Sequence, residues 1–457
     1  MASDRQLRTG VWYGDHTLQL DFPAGWDARF VWPQTPPPLT GEQIREALEQ
    51  PVGQPAIRHL CRGKSRPLIL VDDLNRPSPA TRVIPFVLRQ IADAGIPSHD
   101  VTILMAGGSH GHSPDAVQKK VGSPAAKSCR LCIHDPARRG VRVGRTPLGS
   151  PVLVNPEVVA SDFVMGIGGV YPSSMAGFGG GTKLALGVLE LSAISYLHHR
   201  HSGAGRGTPA IEGSFRQDLN EIARMIGLKT VISLHLNADR DVVRVACGDP
   251  LLYYPEEMAF ARESYRAPPP DDADVVIANA YPNDLSFTSV WQKSMSLLRC
   301  CAVGASRIMI ASCSEGVGSH GVFPVVNAPR FHTERDYLRR LTVLGTAEIG
   351  RKIVSRFLRA PGSGSKHEAI LKKRAEPKLA FPKNPVWLYR PGVQSVPLPS
   401  TMRGVHIRES WTEIVQAVKN EQGGRDRLKV LLYPCAPLQY LEQSDKDNTA
   451  PVFEADD

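Results

Sequence analysis

The sequence predicts an α/β protein made of two α/β domains, with mostly parallel sheets and a cleft between the domains. Apolar runs typical of buried strands alternate with helical patterns along the chain. The clearest runs are PLILV at 67–71, VTILMA at 101–106, DVVIANA at 274–280 and RIMIASC at 307–313. Two parallel strands need a long crossover, usually a helix, so this alternation favours parallel pairing. With 457 residues, the chain is long enough for more than one hydrophobic core.

The elements of the N-terminal half follow from local patterns. Residues 11–22 alternate loosely and suggest an opening strand, and residues 41–50 suggest a short helix. After the strand at 67–71, Ser78 followed by proline is typical of a helix start, and that helix should end at Gly95. Further along we expect short strands within 141–169, a hairpin at 230–247 and a helix at 252–265.

The proline- and aspartate-rich run at 268–272 is the predicted domain boundary. It separates an N-terminal α/β domain at 1–267 from a C-terminal α/β domain at 268–457, whose last segment is able to pack back onto the first domain. The second domain should contain, besides its two apolar strands, a helix that carries Lys293. The other elements expected there are helices around 334–348 and 410–419, a mobile basic loop at 360–380, a strand at 429–434 and a frayed tail from Ser444.

Composition limits the classes of partner. The formal net charge of +9 favours anionic ligands such as carboxylates or nucleotides, but no nucleic-acid-binding motif accompanies it. The first residues lack the apolar stretch of a signal peptide, and no apolar run reaches membrane-spanning length. Eight cysteines are scattered along the chain, a usage typical of a reduced, cytoplasmic protein. A lone Cys129-x-x-Cys132 pair is weak evidence for a metal.

A glycine-rich stretch is the most distinctive feature of the sequence. Its four glycines are Gly177, Gly179, Gly180 and Gly181. Lys183 follows them, and His198, His199 and His201 lie further along. Glycines allow close approach of the backbone to a ligand, and a lysine supplies a charge or, with a lowered pKa, a nucleophilic amine. The stretch does not match a Walker A loop, which needs Ser or Thr after the lysine. A plain turn with a solvated lysine is the alternative.

Two polar turns follow the first two predicted strands directly. They are DDLNR at 72–76 and GGSHGH at 107–112. Groups that bind ligands in open α/β sheets lie just past the carboxyl ends of strands, so both turns are candidate parts of one site.

Together these motifs resemble the nickel-pincer lactate racemase family. The matching segments are DDLNRPSP at 72–79, AGGSH at 106–110, HD at 134–135, GSPVLVN at 149–155, AGFGGGTK at 176–183, ANAYPND at 278–284 and SEGVGS at 314–319. The resemblance covers roughly residues 10 to 440. Each motif alone is weak, whereas their order and spacing together are fairly specific.

The resemblance implies an isomerase, a racemase or epimerase of a 2-hydroxy acid, with the active site in the cleft. The family uses a nickel-pincer nucleotide (nickel pyridinium-3,5-bisthiocarboxylic acid mononucleotide) that is joined to a lysine through a thioamide. Lys183 stands in that position, and His199, sixteen residues later, stands in that of the nickel ligand. A base removes the hydroxyl proton while the α-hydrogen moves reversibly to the cofactor as hydride. Cofactor-maturation proteins are the implied partners.

The resemblance also assigns roles around the substrate. His110 matches one of the family's two acid/base histidines, and Arg76 matches the carboxylate-binding residue. Asp73 is expected to orient Arg76 or to bind a cofactor hydroxyl. The four glycines of the loop and Ser173 complete the predicted cofactor-binding set.

Two departures put the substrate and the second base in question. Where the family's racemases have a second acid/base histidine, this chain has Ser173, whose hydroxyl has too high a pKa to replace an imidazole. Tyr171, His112 or His198 could serve instead, or the two faces of the substrate could meet different bases. In the family's Tyr-Gln-x-x-Lys segment, Lys293 is the remaining cation, offset by one residue.

Two other functions therefore stay open at this point. One is a different hydride-transfer enzyme that uses the same cofactor without racemisation. The other is a non-catalytic nucleotide- or anion-binding protein in which Lys183 contacts a phosphate. Structural roles also stay open: Arg76 could pair with Asp72 or Asp73, and His134 could simply close a turn.

Overall fold

The computed structural model describes residues 6–34, 36–322, 385–392 and 396–441. Within these residues no helix combines the length and the apolar character needed to cross a bilayer. The helix at 334–348, the loop at 360–380 and the tail from Ser444 that the sequence predicts lie outside the described residues.

Strands and helices alternate through most of the described chain. The strands are β1 Leu7–Thr9, β2 His16–Leu18, β3 Trp26–Phe30, β4 Pro67–Asp72, β5 Thr102–Ala106, β6 Arg130–Ile133, β7 Val141–Arg145, β8 Pro151–Val154, β9 Phe163–Gly169, β10 Pro172–Ser173, β11 Gly177–Phe178, β12 Leu228–Leu236, β13 Val242–Gly248, β14 Arg266–Ala267, β15 Val275–Asn279, β16 Ser306–Ile310, β17 Val386–Tyr389, β18 Thr401–Met402, β19 Val405–Arg408, β20 Leu428–Tyr433 and β21 Tyr440–Leu441.

The α-helices are α1 Gly41–Glu49, α2 Ile57–Leu60, α3 Ile84–Asp93, α4 Ala116–Val121, α5 Ser123–Ser128, α6 Pro156–Ala160, α7 Leu191–Arg200, α8 Ser214–Met225, α9 Pro250–Tyr265, α10 Phe287–Lys293, α11 Met295–Arg299 and α12 Trp411–Glu421. Short 3₁₀ helices span Ala80–Arg82, Ser98–Asp100 and Gly181–Val188.

The first large sheet has six strands in the order β13-β12-β9-β4-β5-β6. All neighbours are parallel except β12 and β13, which form the predicted antiparallel hairpin. The chain runs from β4 to β5 and β6 on one side, and later returns to place β9 on the other side of β4. Loops after β4 and β9 therefore diverge, which opens a crevice at the carboxyl edge of the sheet.

The second large sheet has seven strands in the order β18-β19-β17-β16-β15-β20-β3 and is parallel except for β18. Alternate residues of β15 enter separate apolar clusters: Val276 and Ala278 on one face, Val275 and Ile277 on the other. Both faces of this sheet are thus covered. Two mostly parallel sheets confirm the predicted fold class.

The strands of the first large sheet precede the predicted boundary at 268–272, and the strands of the second large sheet, except β3, follow it. One strand from each side of the boundary pairs with a strand from the other part of the chain. Strand β3, from the N-terminal segment, pairs with β20 in the second sheet. Strand β21, near the C-terminus, pairs with β14 just before the predicted boundary. The division into residues 1–267 and 268–457 itself stays a prediction.

Two local predictions were wrong. Residues 11–22 do not form one strand, because left-handed backbone at Trp12 and Asp15 turns the chain between β1 and β2. Ser78 does not cap a helix either. Its hydroxyl donates to the carboxylate of Asp72 at 2.7 Å, and α3 begins only at Ile84 after a 3₁₀ turn.

Candidate active site

The candidate site lies where the loops after β4, β5 and β9 meet segments of the second half of the chain. These loops enclose a cavity of about 250 Å³. The polar and charged groups that line it are Asp72, Asp73, Arg76, Ser109, His110, Ser173, Ser174, Lys183, His198, Gln292, Lys293, Arg299, His320 and Arg403. Of the predicted site residues, the structure brings together here His110, Arg76, Asp73, Lys293, Lys183, Gly179, Gly180, Gly181 and Ser173.

Asp73 and His110 form a hydrogen-bonded pair at the base of the cavity. His110 Nδ1–H donates to Asp73 Oδ2 at 2.5 Å, and both side chains are largely buried. Burial alone would raise the pKa of Asp73, but the hydrogen bond from His110 and the positive charge of Arg76 outweigh burial and hold that pKa well below its usual range. Burial lowers the pKa of His110 despite the opposing charge of Asp73. The imidazole is thus a neutral, oriented base. The side chain that Asp73 orients is therefore His110, and not Arg76 as one sequence-based expectation had it.

His112 stands beside this pair but does not line the cavity. Its Nε2 lies 3.6 Å from Asp73 Oδ2, and its side chain is 1% exposed. The ligand atoms of Asp73, His110 and His112 fall within 4.8 Å of one another, a spacing that could also hold a metal ion. The distance between Asp73 and His110 is that of a hydrogen bond, so the geometry favours a role in proton transfer over metal binding.

Lys120, which no sequence motif indicated, holds the turn that carries Asp73 and Arg76. Its buried Nζ donates to the carbonyl oxygens of Asp73 at 3.2 Å and Arg76 at 2.9 Å, and to Ser78 Oγ at 3.1 Å. It also forms a 2.5 Å ion pair with Asp72. The other carboxylate oxygen of Asp72 accepts the backbone N–H of Gly169 at 2.9 Å. One lysine and one aspartate therefore tie the turn after β4 to the end of β9.

Arg216 and Tyr254 fix the glycine-rich loop from behind. The Arg216 guanidinium donates to the carbonyl oxygens of Phe178 at 2.6 Å and Gly180 at 3.0 Å. The Tyr254 hydroxyl donates to the carbonyl oxygens of Phe178 at 2.9 Å and Gly179 at 3.0 Å. Because these groups occupy the loop's carbonyls, the loop has a single defined path past the cavity.

Gly177 is the predicted cofactor-binding glycine that does not line the cavity. Its φ of +66° is left-handed, and a Cβ there would come within 1.9 Å of the carbonyl oxygen of Thr208. Glycine is required at this position because the loop packs closely against residues 205–210, and not because a ligand approaches it.

Lys183 and Lys293 face a cavity wall that is rich in cations. Burial, with the charges of Arg76 and Arg216, lowers the pKa of Lys183 to about 7. Burial, with the charges of Arg76 and Lys183, lowers the pKa of Lys293 well below its usual range. Mutually repelling cations around one cavity favour an anionic ligand, and a neutral Lys183 amine is a nucleophile.

The three histidines at the end of α7 have different environments. His198 lines the cavity, whereas His199, the predicted nickel ligand, is exposed on the other face of the helix and does not line it. His201 is buried and bonded to Asp218 at 2.8 Å and Ser214 at 2.9 Å, a structural role. The spacing of sixteen residues from Lys183 selects His199, whereas the structure places the neighbouring His198 in the cavity wall.

His198 has the chemistry of a metal ligand. Its Nδ1–H donates to the carbonyl oxygen of Ile194 at 2.8 Å, which leaves the lone pair on Nε2. Burial lowers its pKa to about 4, so the imidazole is neutral, as metal binding requires.

Other predicted or considered residues are structural. His134 is buried and donates from Nε2 to the carbonyl oxygen of Leu189 at 2.8 Å, so it closes a turn. Tyr171 does not line the cavity, and burial raises its pKa well above the usual range. Ser173, in β10, does line the cavity and is mostly buried.

Comparison with known proteins finds similarity to lactate racemases. A family model described as the lactate racemase N-terminal domain matches residues 13–207. The lactate racemase of Lactiplantibacillus plantarum is 24% identical over 291 residues, which cover 62% of this chain and 68% of that protein. The lactate racemase of Thermoanaerobacterium thermosaccharolyticum is 24% identical over 296 residues, 61% of this chain and 67% of that protein.

The N-terminal part of the chain is thus similar to the lactate racemase N-terminal domain, and about three fifths of the chain aligns with lactate racemases. Solved structures support the fold. The lactate racemase apoprotein from Thermoanaerobacterium thermosaccharolyticum superposes with a TM-score of 0.66 at 19% identity, over 96% of this chain and 100% of that one. A protein from Thermotoga maritima superposes with a TM-score of 0.55 at 16% identity, over 89% and 99%. The predicted resemblance to this family is thereby confirmed, and both sequence relatives are named as racemases, the class of isomerase that the resemblance implies.

The residues that line this cavity would fit a nickel-pincer nucleotide, the cofactor that the sequence resemblance implies. A neutral amine at Lys183, a neutral imidazole at His198 with its lone pair on Nε2, and a cationic wall are the groups that an attached, metal-bearing, phosphorylated pyridinium would need. The loop between Gly179 and Gly181 passes the cavity without side chains, which leaves room beside the lysine.

Sequence reasoning missed the groups that act through contacts distant along the chain. Lys120, Arg216 and Tyr254 lie outside every motif, and no local signal could have found them. His320 had a weak signal, because it follows directly the matching SEGVGS segment at 314–319. The structure places it in the cavity beside His110.

Proposed function

We propose that this protein is a member of the lactate racemase family and a nickel-pincer-nucleotide-dependent racemase or epimerase of a 2-hydroxy acid. The observation that carries the proposal is the arrangement of three groups around one cavity: the Asp73–His110 pair, the buried amine of Lys183 and the inward-facing imidazole of His198. A phosphate cradle alone would not need a hydrogen-bonded carboxylate–imidazole pair.

In this proposal Lys183 attaches the cofactor, and His198 rather than His199 completes the nickel coordination. When bound, the cofactor supplies a reversible acceptor for the α-hydrogen as hydride. Lys183 is suited to form the covalent bond because its pKa of about 7 leaves much of the amine uncharged near neutral pH.

The chain's own residues bind the substrate and move its hydroxyl proton. Arg76 is the cation proposed to hold the carboxylate. Lys293 faces the same cavity, and a bound carboxylate would favour its protonated form. His110 accepts the hydroxyl proton, and the carboxylate of Asp73 stabilises the imidazolium that forms. Because His110 keeps the proton in a buried site, it can return it to the same oxygen after the carbon centre has inverted.

The identity of the substrate is part of this proposal. Both sequence relatives are named lactate racemases, which makes lactate the first candidate. Ser173 and the offset Lys293 distinguish this cavity from the family pattern, and they favour testing larger hydroxy acids as well. A cytoplasmic location and partnership with cofactor-maturation proteins are part of the same proposal.

The test is chiral analysis of products from protein produced together with cofactor-maturation proteins. Enantiopure lactate, 2-hydroxybutyrate, malate and phenyllactate are incubated separately, and each product is resolved by chiral chromatography. The proposal expects conversion of at least one pair in both directions. Retention of configuration for all four acids by protein that carries nickel, with formation of a keto acid, would instead support the non-racemising enzyme.

A further inference from the structure

A partly buried histidine from the second half of the chain shares the cavity with His110. His320 lies in the loop after β16, and its ring centroid is 4.8 Å from that of His110, with the two planes at 78°. The two segments are also paired through the backbone: Gly321 N–H donates to the carbonyl oxygen of Ser109 at 2.7 Å. The position of His320 against the base is therefore defined by main-chain contacts.

The hydrogen bonds of His320 indicate which ring nitrogen carries the proton. The backbone N–H of Val322 donates to Nδ1 at 3.2 Å, so Nδ1 is an acceptor and the proton belongs on Nε2. Ser109 Oγ lies 3.2 Å from Nδ1 and 3.3 Å from Nε2, within hydrogen-bonding reach of the ring. With its lone pair engaged by the backbone, His320 is poorly placed to act as a base. It is well placed to donate from Nε2.

The surroundings keep this ring uncharged. Burial lowers the pKa of His320 well below its usual range, and the positive charge of Arg76 lowers it further. A neutral imidazole N–H in a buried site is a strong donor towards an oxygen that gains negative charge, and it needs no proton transfer to act.

We propose that His320 is a catalytic residue that donates the Nε2–H hydrogen bond to the substrate oxygen that His110 deprotonates. The inference rests on the proposed function. The oxygen begins as a hydroxyl and gives its proton to His110. The bound cofactor would supply the acceptor for the α-hydrogen as hydride, so that the same oxygen would become the carbonyl oxygen of a 2-keto acid. His320 keeps its own proton throughout. Imidazoles with centroids 4.8 Å apart can both reach one oxygen at hydrogen-bond distance.

This role accounts for the serine at position 173. If His110 takes and returns the proton, and His320 holds the oxygen during inversion, one base serves both enantiomers. A second base is then not required, and the cavity wall formed by Ser173 is free to contact the rest of the substrate.

The test compares His320→Ala, His320→Gln and the control His99→Gln, an exposed histidine in the 3₁₀ helix Ser98–Asp100. All three are produced with cofactor maturation and checked for nickel and for the Lys183 adduct. The substrate is the acid of the panel that the wild-type protein interconverts fastest. We expect His320→Ala to lower kcat by about a hundredfold or more. His320→Gln, which keeps an N–H donor, should retain more than His320→Ala, and the control should match the wild type.

A spectroscopic measurement separates donation from a structural or basic role. The matching keto acid, labelled with ¹³C at its carbonyl, is bound to each loaded protein, and its carbonyl stretch is recorded. We expect a shift to lower frequency in the wild type that His320→Ala abolishes. An unchanged stretch and rate in His320→Ala would overturn the proposal.

Single-turnover formation of keto acid completes the test. If His320→Ala blocks the reaction of one enantiomer only, the residue is a second base and the donor role is wrong. If the wild-type protein with nickel and adduct interconverts no acid of the panel, the proposed function fails, and the inference on His320 fails with it.

Discussion

His110 Nδ1 lies 2.5 Å from Asp73 Oδ2, and these two residues come from the ends of adjacent parallel strands. Asp73 follows β4 and His110 follows β5, so the register of the sheet brings the pair together. The carboxylate fixes the tautomer of the imidazole and leaves its other nitrogen for the substrate. The acid/base chemistry of the site thus depends directly on strand pairing.

Replacing Asp73 with Asn should lower kcat by about a hundred- to ten-thousandfold, because the amide cannot stabilise the imidazolium and can hold the wrong tautomer. Steady-state racemisation of the preferred acid measures the effect. Asp135→Asn, an exposed carboxylate beside the structural His134, is the matched control. A loss of less than about fivefold would remove Asp73 from the mechanism.

Lys183 in protein produced without maturation should be unusually reactive near neutral pH. Its pKa is lowered from the ordinary 10.5 to about 7, so the neutral amine forms as the pH rises through about 7. Competitive acylation followed by peptide mass spectrometry gives the labelling midpoint, with Lys127 as an internal reference. A midpoint for Lys183 that coincides with the reference lysine would show that burial and the neighbouring arginines do not act on it as the structure indicates.

His198→Ala should lose nickel while His199→Ala keeps it, since only His198 lines the cavity. The two variants remove the same side chain from adjacent positions of one helix, so each controls for the other. Nickel per chain is measured by inductively coupled plasma mass spectrometry after maturation. The opposite pattern would restore the assignment of His199 that the spacing from Lys183 predicts.

Lys120→Met should destabilise the fold strongly. The change leaves the buried carboxylate of Asp72 without its cation and frees two carbonyl oxygens of the turn, at a cost of about 3–5 kcal/mol in the free energy of unfolding. Urea denaturation measures the difference against Lys119→Met, the more exposed neighbour on α4. A loss below about 1 kcal/mol would mean that other contacts hold the turn.

The sequence was informative wherever chemistry follows a regular strand directly. Runs such as PLILV need burial on both faces, so they predicted β4 and the sheet, and the turns after β4 and β5 predicted Asp73, Arg76 and His110. The glycine loop with Lys183 was recognisable because closely spaced glycines have few other uses.

The remainder of the site depends on contacts that sequence spacing does not encode. Lys120 reaches the turn after β4 from α4, and Arg216 reaches the glycine loop from α8. The choice between His198 and His199 needs the helical register after an irregular 3₁₀ segment, which residue counting cannot give. The position of His320 beside His110 depends on how the second half of the chain packs against the first half.

The measurement that tests the account most directly is intact-mass spectrometry with metal analysis, on protein produced with cofactor-maturation proteins. We expect a mass increase that peptide mapping places on Lys183, with one nickel per chain, and loss of both in Lys183→Ala. Absence of an adduct and of nickel, while a lactate racemase matured in parallel acquires both, would contradict it and would favour an anion-binding protein.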